Sequence, residues 1–408
     1  MTPFLTLDDL DFKDKTALLR VDFNSPVNPE NKTILDDTRI RSHAETTIKE
    51  LSEKGAKIVI LAHQGRPGDP DFTPLKEHAE ILGSILGIPV KYVDDVFGEK
   101  AQKAIKELKS GEILVLENVR TFPDETKKGT PEEHAKSEFV KKLAPLANVF
   151  VNDAFAAAHR SHISMVGFTA VLPSVAGRIM ERELKALSKV LEAPEKPCVY
   201  ILGGAKADDS LKISRYVLKN NIADQVLTGG IVGHLFLAAK GIDLGKPNME
   251  FLEKKELMGL VPGIRELMNA YPKNVENPVD VAIEVEGKRK EITVGDLPTN
   301  YPICDIGTKT IEKYGDVIHK SKSIVISGPL GVFENKEFIK GTKQVFEAIA
   351  ASKAFSLVGG GHTVAAVEEL GLARKMSYVS TAGGALIEFL MGERLPGVVA
   401  LEKAATRA

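Results

Sequence analysis

The sequence predicts an α/β protein built from two parallel-sheet domains joined by a helix. Three observations carry this expectation. Short β-branched runs alternate with longer runs of helical period along the chain, the pattern of βαβ units. The 408 residues suggest two or three domains at roughly 150 residues each. The alternation is interrupted once, by a long helical stretch before Pro194 and Pro197, and then begins again.

In the first half, strands are expected at 16–24, 56–63, 89–95, 112–118 and 148–154, with helices near 37–53, 74–87, 99–110 and 131–144. Pro131 followed by Glu132 and Glu133 suits a helix start, because proline fits the first turn and carboxylates favour its positive end. The strands are almost continuously apolar, as strands covered on both faces must be. The stretch AGRIMERELKALSKVLEA (176–193) is the connecting helix, with proline just beyond it. In the second half, strands are expected at 197–204, 225–230, 279–285, 323–329, 355–361 and 376–384. The polar segment 286–300 is expected to be a surface excursion.

Composition excludes several classes. The chain is 43% hydrophobic and 27% charged, which argues against disorder. Its 54 basic and 56 acidic residues leave a formal charge of −2, so no nucleic-acid partner is expected for the chain as a whole. Cys198 and Cys304 are too few for a disulfide framework or cysteine metal cluster and are expected as small buried hydrophobes. No signal-peptide pattern opens the chain and no apolar run reaches ~18 residues. A cytoplasmic protein without membrane contact is therefore expected.

Ligands of open parallel sheets bind at the carboxyl ends of the strands. In the first half those ends carry Asp22, Asn24, Arg39, His63, Arg66, Arg120, His159, Arg160 and His162. One such arginine would be an ordinary surface residue. Several at successive strand ends form a site for a compact polyanion, which guanidinium groups grip bidentately. His43, His78 and His134 fall in helix candidates and are expected to be exposed or partly packed. Asp153, His159 and His162 match no zinc spacing.

The strand ends of the second half carry glycine instead: Gly203-Gly204-Ala205-Lys206, Gly229-Gly230, Gly328-Pro329-Leu330-Gly331, Gly359-Gly360-Gly361 and Gly383-Gly384. Three of these clusters lead into helices, whose free amides and dipole suit phosphate. Glycine-rich βα turns are common, so the weight rests on five of them at one sheet edge. No GxGxxG opens a helix after a strand, and neither GxxxxGK[ST] nor GxSxG occurs, which removes dehydrogenase, P-loop and hydrolase signatures. A basic half and a glycine-lined half remain, a layout for moving a phosphoryl group between two substrates.

The motifs RVDFNSP, DDTRI, HQGRP, LENVR, VNDAFAAAHRSH, ILGGAK, SGPLGVFE, GGGHT and STAGGA occur in an order that resembles the phosphoglycerate kinase family, from about residue 16 to residue 400. The resemblance implies two Rossmann-like domains with a hinge. Residues 1–173 would bind phosphoglycerate, 174–194 would be the linker helix, 195–390 would bind nucleotide, and 391–408 would return to the first domain. It implies reversible transfer between 1,3-bisphosphoglycerate and ADP, giving 3-phosphoglycerate and ATP, with Mg2+, in a monomer or dimer. Asp22, Asn24, Arg39, His63, Arg66, Arg120 and Arg160 match the triose-phosphate site. Gly204, Lys206, Gly229, Gly230, Pro329, Val332, Glu334, Gly360, Gly361, His362, Thr363, Gly383 and Gly384 match the nucleotide pocket, with Glu334 at the ribose. Arg39, Lys206 and Lys212 are the catalytic candidates.

The attacking carboxylate is already ionised at neutral pH, so the chemistry asks for alignment and charge neutralisation rather than a general base. Arg39 and Lys206 come from different halves, so domain closure is expected. The sequence departs from the common family pattern in several places. Ser210 stands where a second lysine is usual, leaving Lys212 as the nearest candidate. The common NGP and HLGRP motifs read SGP and HQGRP. The usual Asp after GGG is His362, as in archaeal members. His362 is expected to contact nucleotide phosphate rather than Mg2+, the other possibility being a turn residue without a ligand. The metal ligand is left open, with Asp208 and Asp209 as candidates. The competing functions are a kinase of another small carboxylate and a non-catalytic nucleotide-binding regulator.

Overall fold

The protein is described by a computed structural model over residues 4–407. Residues 1–3 and 408 lie outside the described residues, and so do the start of the segment scanned for a signal peptide and the outermost bounds of the terminal segments. Contacts divide the chain into two compact units, one running to Leu184 and resuming at Arg394, the other Lys185–Glu393.

The first unit holds a six-stranded sheet of β1 (Thr16–Arg20), β2 (Lys57–Leu61), β3 (Val90–Tyr92), β4 (Ile113–Val115), β5 (Val149–Asn152) and β6 (Ser174–Ala176). Their order is β3-β4-β2-β1-β5-β6, and every pairing is parallel. Neighbouring residues explain the two covered faces. Leu19, Ile58 and Ile60 enter one core with Ile40 and Ile48. Leu18, Val59 and Leu61 enter the other with Phe139, Phe150 and Phe168. Strand side chains alternate between faces, so a strand buried on both sides reads as unbroken apolar sequence. The Pro396–Ala405 helix also belongs to this unit. Its Gly397 amide donates to the Ala158 carbonyl at 2.9 Å.

The second unit holds β7 (Cys198–Leu202), β8 (Gln225–Thr228), β9 (Val275–Glu276), β10 (Asp280–Val285), β11 (Lys288–Thr293), β12 (Ile303–Ile306), β13 (Ser323–Ser327), β14 (Phe355–Gly359) and β15 (Tyr378–Val379). Six of these make a parallel sheet ordered β15-β14-β13-β7-β8-β9, and β11-β10-β12 form a separate sheet. The connecting helix spans Arg178–Leu191, and the division between units falls inside it. Among the described residues no helix is long and apolar enough to cross a membrane.

Several sequence expectations need correction. The strand expected at 279–285 exists but pairs antiparallel with β11 and β12, outside the parallel sheet. The 286–300 segment is not simply an excursion, because it contains β11. Glu286 and Gly287 both have positive φ, at 52° and 75°, the two-residue turn that suits hairpin twist. The polar sequence KRKEIT concealed a strand with no fully buried residue. Edge strands β6 and β9 are too short to leave a pattern. The 37–53 helix is interrupted by a π-helical stretch at Ala44–Ile48. His43, His78 and His134 are all buried, with hydrogen bonds to Asp153, Gln64 and the Ser161 carbonyl respectively, though His78 Nδ1 is left without one among the described residues. Cys198 is buried but Cys304 is only half-buried.

Candidate functional site

The strand order of the first unit gathers its basic residues. Strands β4, β2, β1 and β5 are consecutive in the sheet, and Arg120, His63, Asp22 and Arg160 lie just beyond their carboxyl ends. Arg39 lies in the first turn of the Thr38–His43 helix. Its Nη1 pairs with Asp22 Oδ2 at 2.5 Å. Asp22 is fixed in turn, because its amide donates to His43 Nε2 at 3.2 Å, and His43 Nδ1 meets Asp153 Oδ2 at 2.6 Å. Asn24 Oδ1 accepts the Gly65 amide at 2.8 Å, and Arg120 Nη1 donates to the Gly65 carbonyl. Both contacts brace the loop carrying Arg66, which is exposed.

Charge is poorly balanced here. Burial lowers the Arg120 pKa to about 10, helped by repulsion from Arg160, Arg20 and Arg66. Burial and then Arg160, Arg20 and Arg120 hold His162 down at about 3. His63 is pushed well below its ordinary value by burial, then by Arg20, Arg120 and Arg160. The groups share one positive field, and a bound polyanion relieves it.

Sequence reasoning missed Arg20, which is only 1% exposed. Its position at the end of an apolar strand was the available signal, since a buried arginine demands partners. The buried Glu125 and Ser164 had none.

The second unit is built differently. Five of its consecutive strands, β15, β14, β13, β7 and β8, are followed by the glycine clusters. A pocket of about 130 Å³ is lined by Gly203, Gly204, Lys206, Gly328, Pro329, Gly360, Gly361, His362, Thr363, Gly383 and Gly384. Helices Ala207–Lys219, Gly361–Glu369 and Gly384–Leu390 start at this edge. Gly328 has φ +91°, and a Cβ there would collide with the Gly203 carbonyl, so the two loops cross at a spacing only glycine permits. The buried Thr363 hydroxyl accepts the Gly328 amide at 2.6 Å and pins the crossing.

A groove of about 430 Å³ is lined by Gly204, Gly230, Ile231, His234, Phe251, Pro329, Val332, Glu334 and His362, among others. Its aliphatic and aromatic walls suit a planar base, with Glu334 as the acid on the lining. Burial lowers the His234 pKa to about 4, so this ring is neutral near pH 7. Cys304 also lines the groove, and burial raises its thiol to about 11.

Two expected residues fall outside both linings. Gly229 is buried, and a Cβ there would strike Leu330, so the β8 turn has room only for glycine. The Lys212 ammonium is held by Asp208 at 2.5 Å, one helical turn away on the exposed face. Among the described residues no group of three or more His, Cys, Asp or Glu could hold a metal ion. Asp209 is the only aspartate of the phosphate-sized pocket's lining. A single carboxylate is a lining Mg2+ can use, since it keeps waters and binds through one or two carboxylates plus phosphates.

A family model described as phosphoglycerate kinase matches residues 7–393. Relatives of that name share 47% identity over all of this chain and 99% of the relative in Methanothermus fervidus. In Methanobacterium bryantii the identity is 50%, over 97% of this chain and 96% of the relative. The solved phosphoglycerate kinase of Pyrococcus horikoshii OT3 superposes with a TM-score of 0.88 at 43% identity, covering 99% of this chain and 100% of that one. That of Coxiella burnetii gives 0.85 at 33% identity, with both chains fully covered.

Proposed function

The chain belongs to the phosphoglycerate kinase family, and from that premise we propose how its residues divide the work. The reaction is the reversible transfer of a phosphoryl group between 1,3-bisphosphoglycerate and ADP, giving 3-phosphoglycerate and ATP. A kinase of another carboxylate and a silent nucleotide binder are not favoured by this membership.

The observation that carries the division is the contrast between the two sets of strand ends, charged side chains in one unit and glycine amides in the other. In our reading, Arg66, Arg120, Arg160 and His63 hold phosphoglycerate, with Asn24 shaping the loop. Asp22 keeps Arg39 extended toward the phosphoryl group in flight. Gly360, Gly361, Gly383 and Gly384 leave backbone amides for nucleotide phosphates. Gly204, Gly230, Pro329, Val332 and Glu334 frame base and ribose. Lys206, exposed at the first turn of its helix, meets the transferring group from the nucleotide side. Lys212, paired to Asp208, serves that helix rather than the reaction. Mg2+ would be held by Asp209, phosphates and water, and it supplies charge neutralisation. His362 meets phosphate from the start of its helix.

Nothing in this scheme needs a general base, because the acceptor carboxylate is ionised near neutral pH. Alignment of acceptor, phosphoryl group and leaving oxygen supplies the rate. We assign residues 1–173 and 195–390 to the two substrates, with 174–194 as linker and 391–408 with the first domain. The working protein in this proposal is a cytoplasmic monomer or dimer. A coupled assay with 3-phosphoglycerate, ATP and magnesium tests the scheme. Turnover lowered by ~10²–10³ by Arg39→Ala and by Lys206→Ala, with each substrate still bound, is the expected result. Turnover unchanged by both substitutions would overturn it.

A further inference from the structure

A hydrogen-bonded chain in the first unit runs from a buried acid to His63. Glu125 is 0% exposed. Its Oε2 accepts the Ser164 amide at 2.9 Å, and its Oε1 accepts the Ser164 hydroxyl at 2.5 Å. A guanidinium can only donate, so Ser164 Oγ accepts from Arg20 Nε at 2.9 Å in either protonation state of Glu125. Arg20 Nη1 donates to the Val21 carbonyl. Its Nη2 lies 3.0 Å from His63 Nδ1.

A guanidinium has donors only. The Arg20–His63 contact therefore makes Nδ1 the acceptor nitrogen, and the proton of the neutral ring sits on Nε2. A doubly protonated His63 would set Nδ1–H against an Arg20 N–H. Burial and the charges of Arg20, Arg120 and Arg160 oppose that second proton as well.

We propose that Glu125 and Ser164 are positioning residues for phosphoglycerate: by orienting Arg20 they fix His63 as a neutral ring whose Nε2–H serves the bound anion. The proposal rests on assigning the basic site to phosphoglycerate. It gives that site a donor whose geometry is set from below and whose charge does not vary. Three residues, Ser164, Arg20 and His63, stand between Glu125 and the substrate, so Glu125 takes no part in the chemistry itself.

The unmodified protein supplies the first test. Long-range 1H–15N correlation of histidine-labelled protein, free and with 3-phosphoglycerate, should show His63 with a bare Nδ1 and a protonated Nε2 at pH 7. A protonated Nδ1, or a doubly protonated ring, overturns the proposal whether or not any variant folds. Ser164→Ala should then raise KM for 3-phosphoglycerate about tenfold, as expected for a weakened charge-assisted contact. KM for ATP should stay within about twofold of the parent. The same variant should give mixed His63 tautomers, and Ser164→Thr, which restores the hydroxyl, should recover the single one. An unchanged tautomer in Ser164→Ala, or a rise in KM shared equally by both substrates, overturns the positioning role. Calorimetry separates this from the site assignment. No binding of 3-phosphoglycerate to the parent sinks the assignment and the proposal together, whereas normal binding with the wrong tautomer sinks the proposal alone.

Discussion

Glu125→Gln should remove a pH-dependent component from the stability of the first unit. Burial pushes the Glu125 carboxyl from its ordinary 4.5 up to about 7, against the opposing pull of Arg20 and Ser164. The folded protein thus holds this proton more tightly than the unfolded chain does. Stability from that preference is complete below pH 4.5 and is lost as pH rises through 7, because between those values only the folded state remains protonated. At about 1.4 kcal/mol per pH unit, the loss amounts to roughly 3 kcal/mol across the window. Glutamine keeps the shape and does not titrate. Native-state hydrogen exchange at core amides of β1 and β5, measured for both proteins from pH 5 to 8, reads the difference directly. The parent's advantage over the variant should shrink by ~2–3 kcal/mol between those limits. Parallel stability curves would refute the argument, since they would mean that the buried carboxyl is ionised throughout.

Arg39→Ala should lower turnover by ~10²–10³ while leaving ATP affinity within about twofold, and Arg39→Lys should recover only part because the planar fork is lost; steady-state kinetics with separate ATP titrations decide it. His43→Ala strips the buried Asp153 carboxylate and the Asp22 amide of their shared partner and should cost about 3 kcal/mol in chemical denaturation. His362→Ala should weaken nucleotide binding by about fivefold, while His362→Asp should sharpen the dependence of turnover on magnesium concentration; calorimetry and a magnesium titration measure each. Because the two proposed sites belong to different units, both substrates together should reduce the radius of gyration in small-angle scattering below that of either single complex, and identical profiles would count against closure.

The alternation of strand and helix was legible because a sheet covered on both faces leaves uninterrupted apolar runs such as TALLR and KIVIL. The gathering of Arg120, His63, Asp22 and Arg160 was legible for the same reason, since consecutive parallel strands bring their carboxyl ends to one sheet edge. The β10–β11 hairpin was not, because KRKEIT is polar at every position except Ile292 and its pairing is set by a Glu286-Gly287 turn. Nor was the burial of His43 and His78. Both occupy helical sequence that looks amphipathic, and only the folded structure supplies the Asp153 and Gln64 that hydrogen-bond to them. For Lys212 the sequence offered only its nearness to the position of a missing lysine, Ser210, and could not show that Asp208, four residues before it, pairs with it on the exposed helix face. Glu125 and Ser164 have no sequence signature, because their importance lies in contacts that span 39 and 144 residues of separation.

Under the proposed assignment the two units would meet anionic ligands by different means, and the chemistry of the two substrates explains why. Phosphoglycerate is compact, and its charge is concentrated on one phosphate and one carboxylate. Guanidinium groups grip such oxygens bidentately and fix their direction, which an in-line transfer requires. Crowding Arg20, Arg120 and Arg160 together is costly, as their mutual repulsion and the lowered Arg120 pKa record. Glu125 and Asp22 offset part of that cost, and a bound anion would offset more of it. In the same assignment a nucleotide polyphosphate would reach the second unit with its charge already partly neutralised by magnesium. Neutral amides at helix starts suffice there, and glycine lets the backbone come close enough to offer them. A second cluster of buried arginines would bind the charged nucleotide too tightly in whichever state carried more charge. Keeping one site cationic and the other amide-lined avoids that bias, which suits a reaction that must run in both directions.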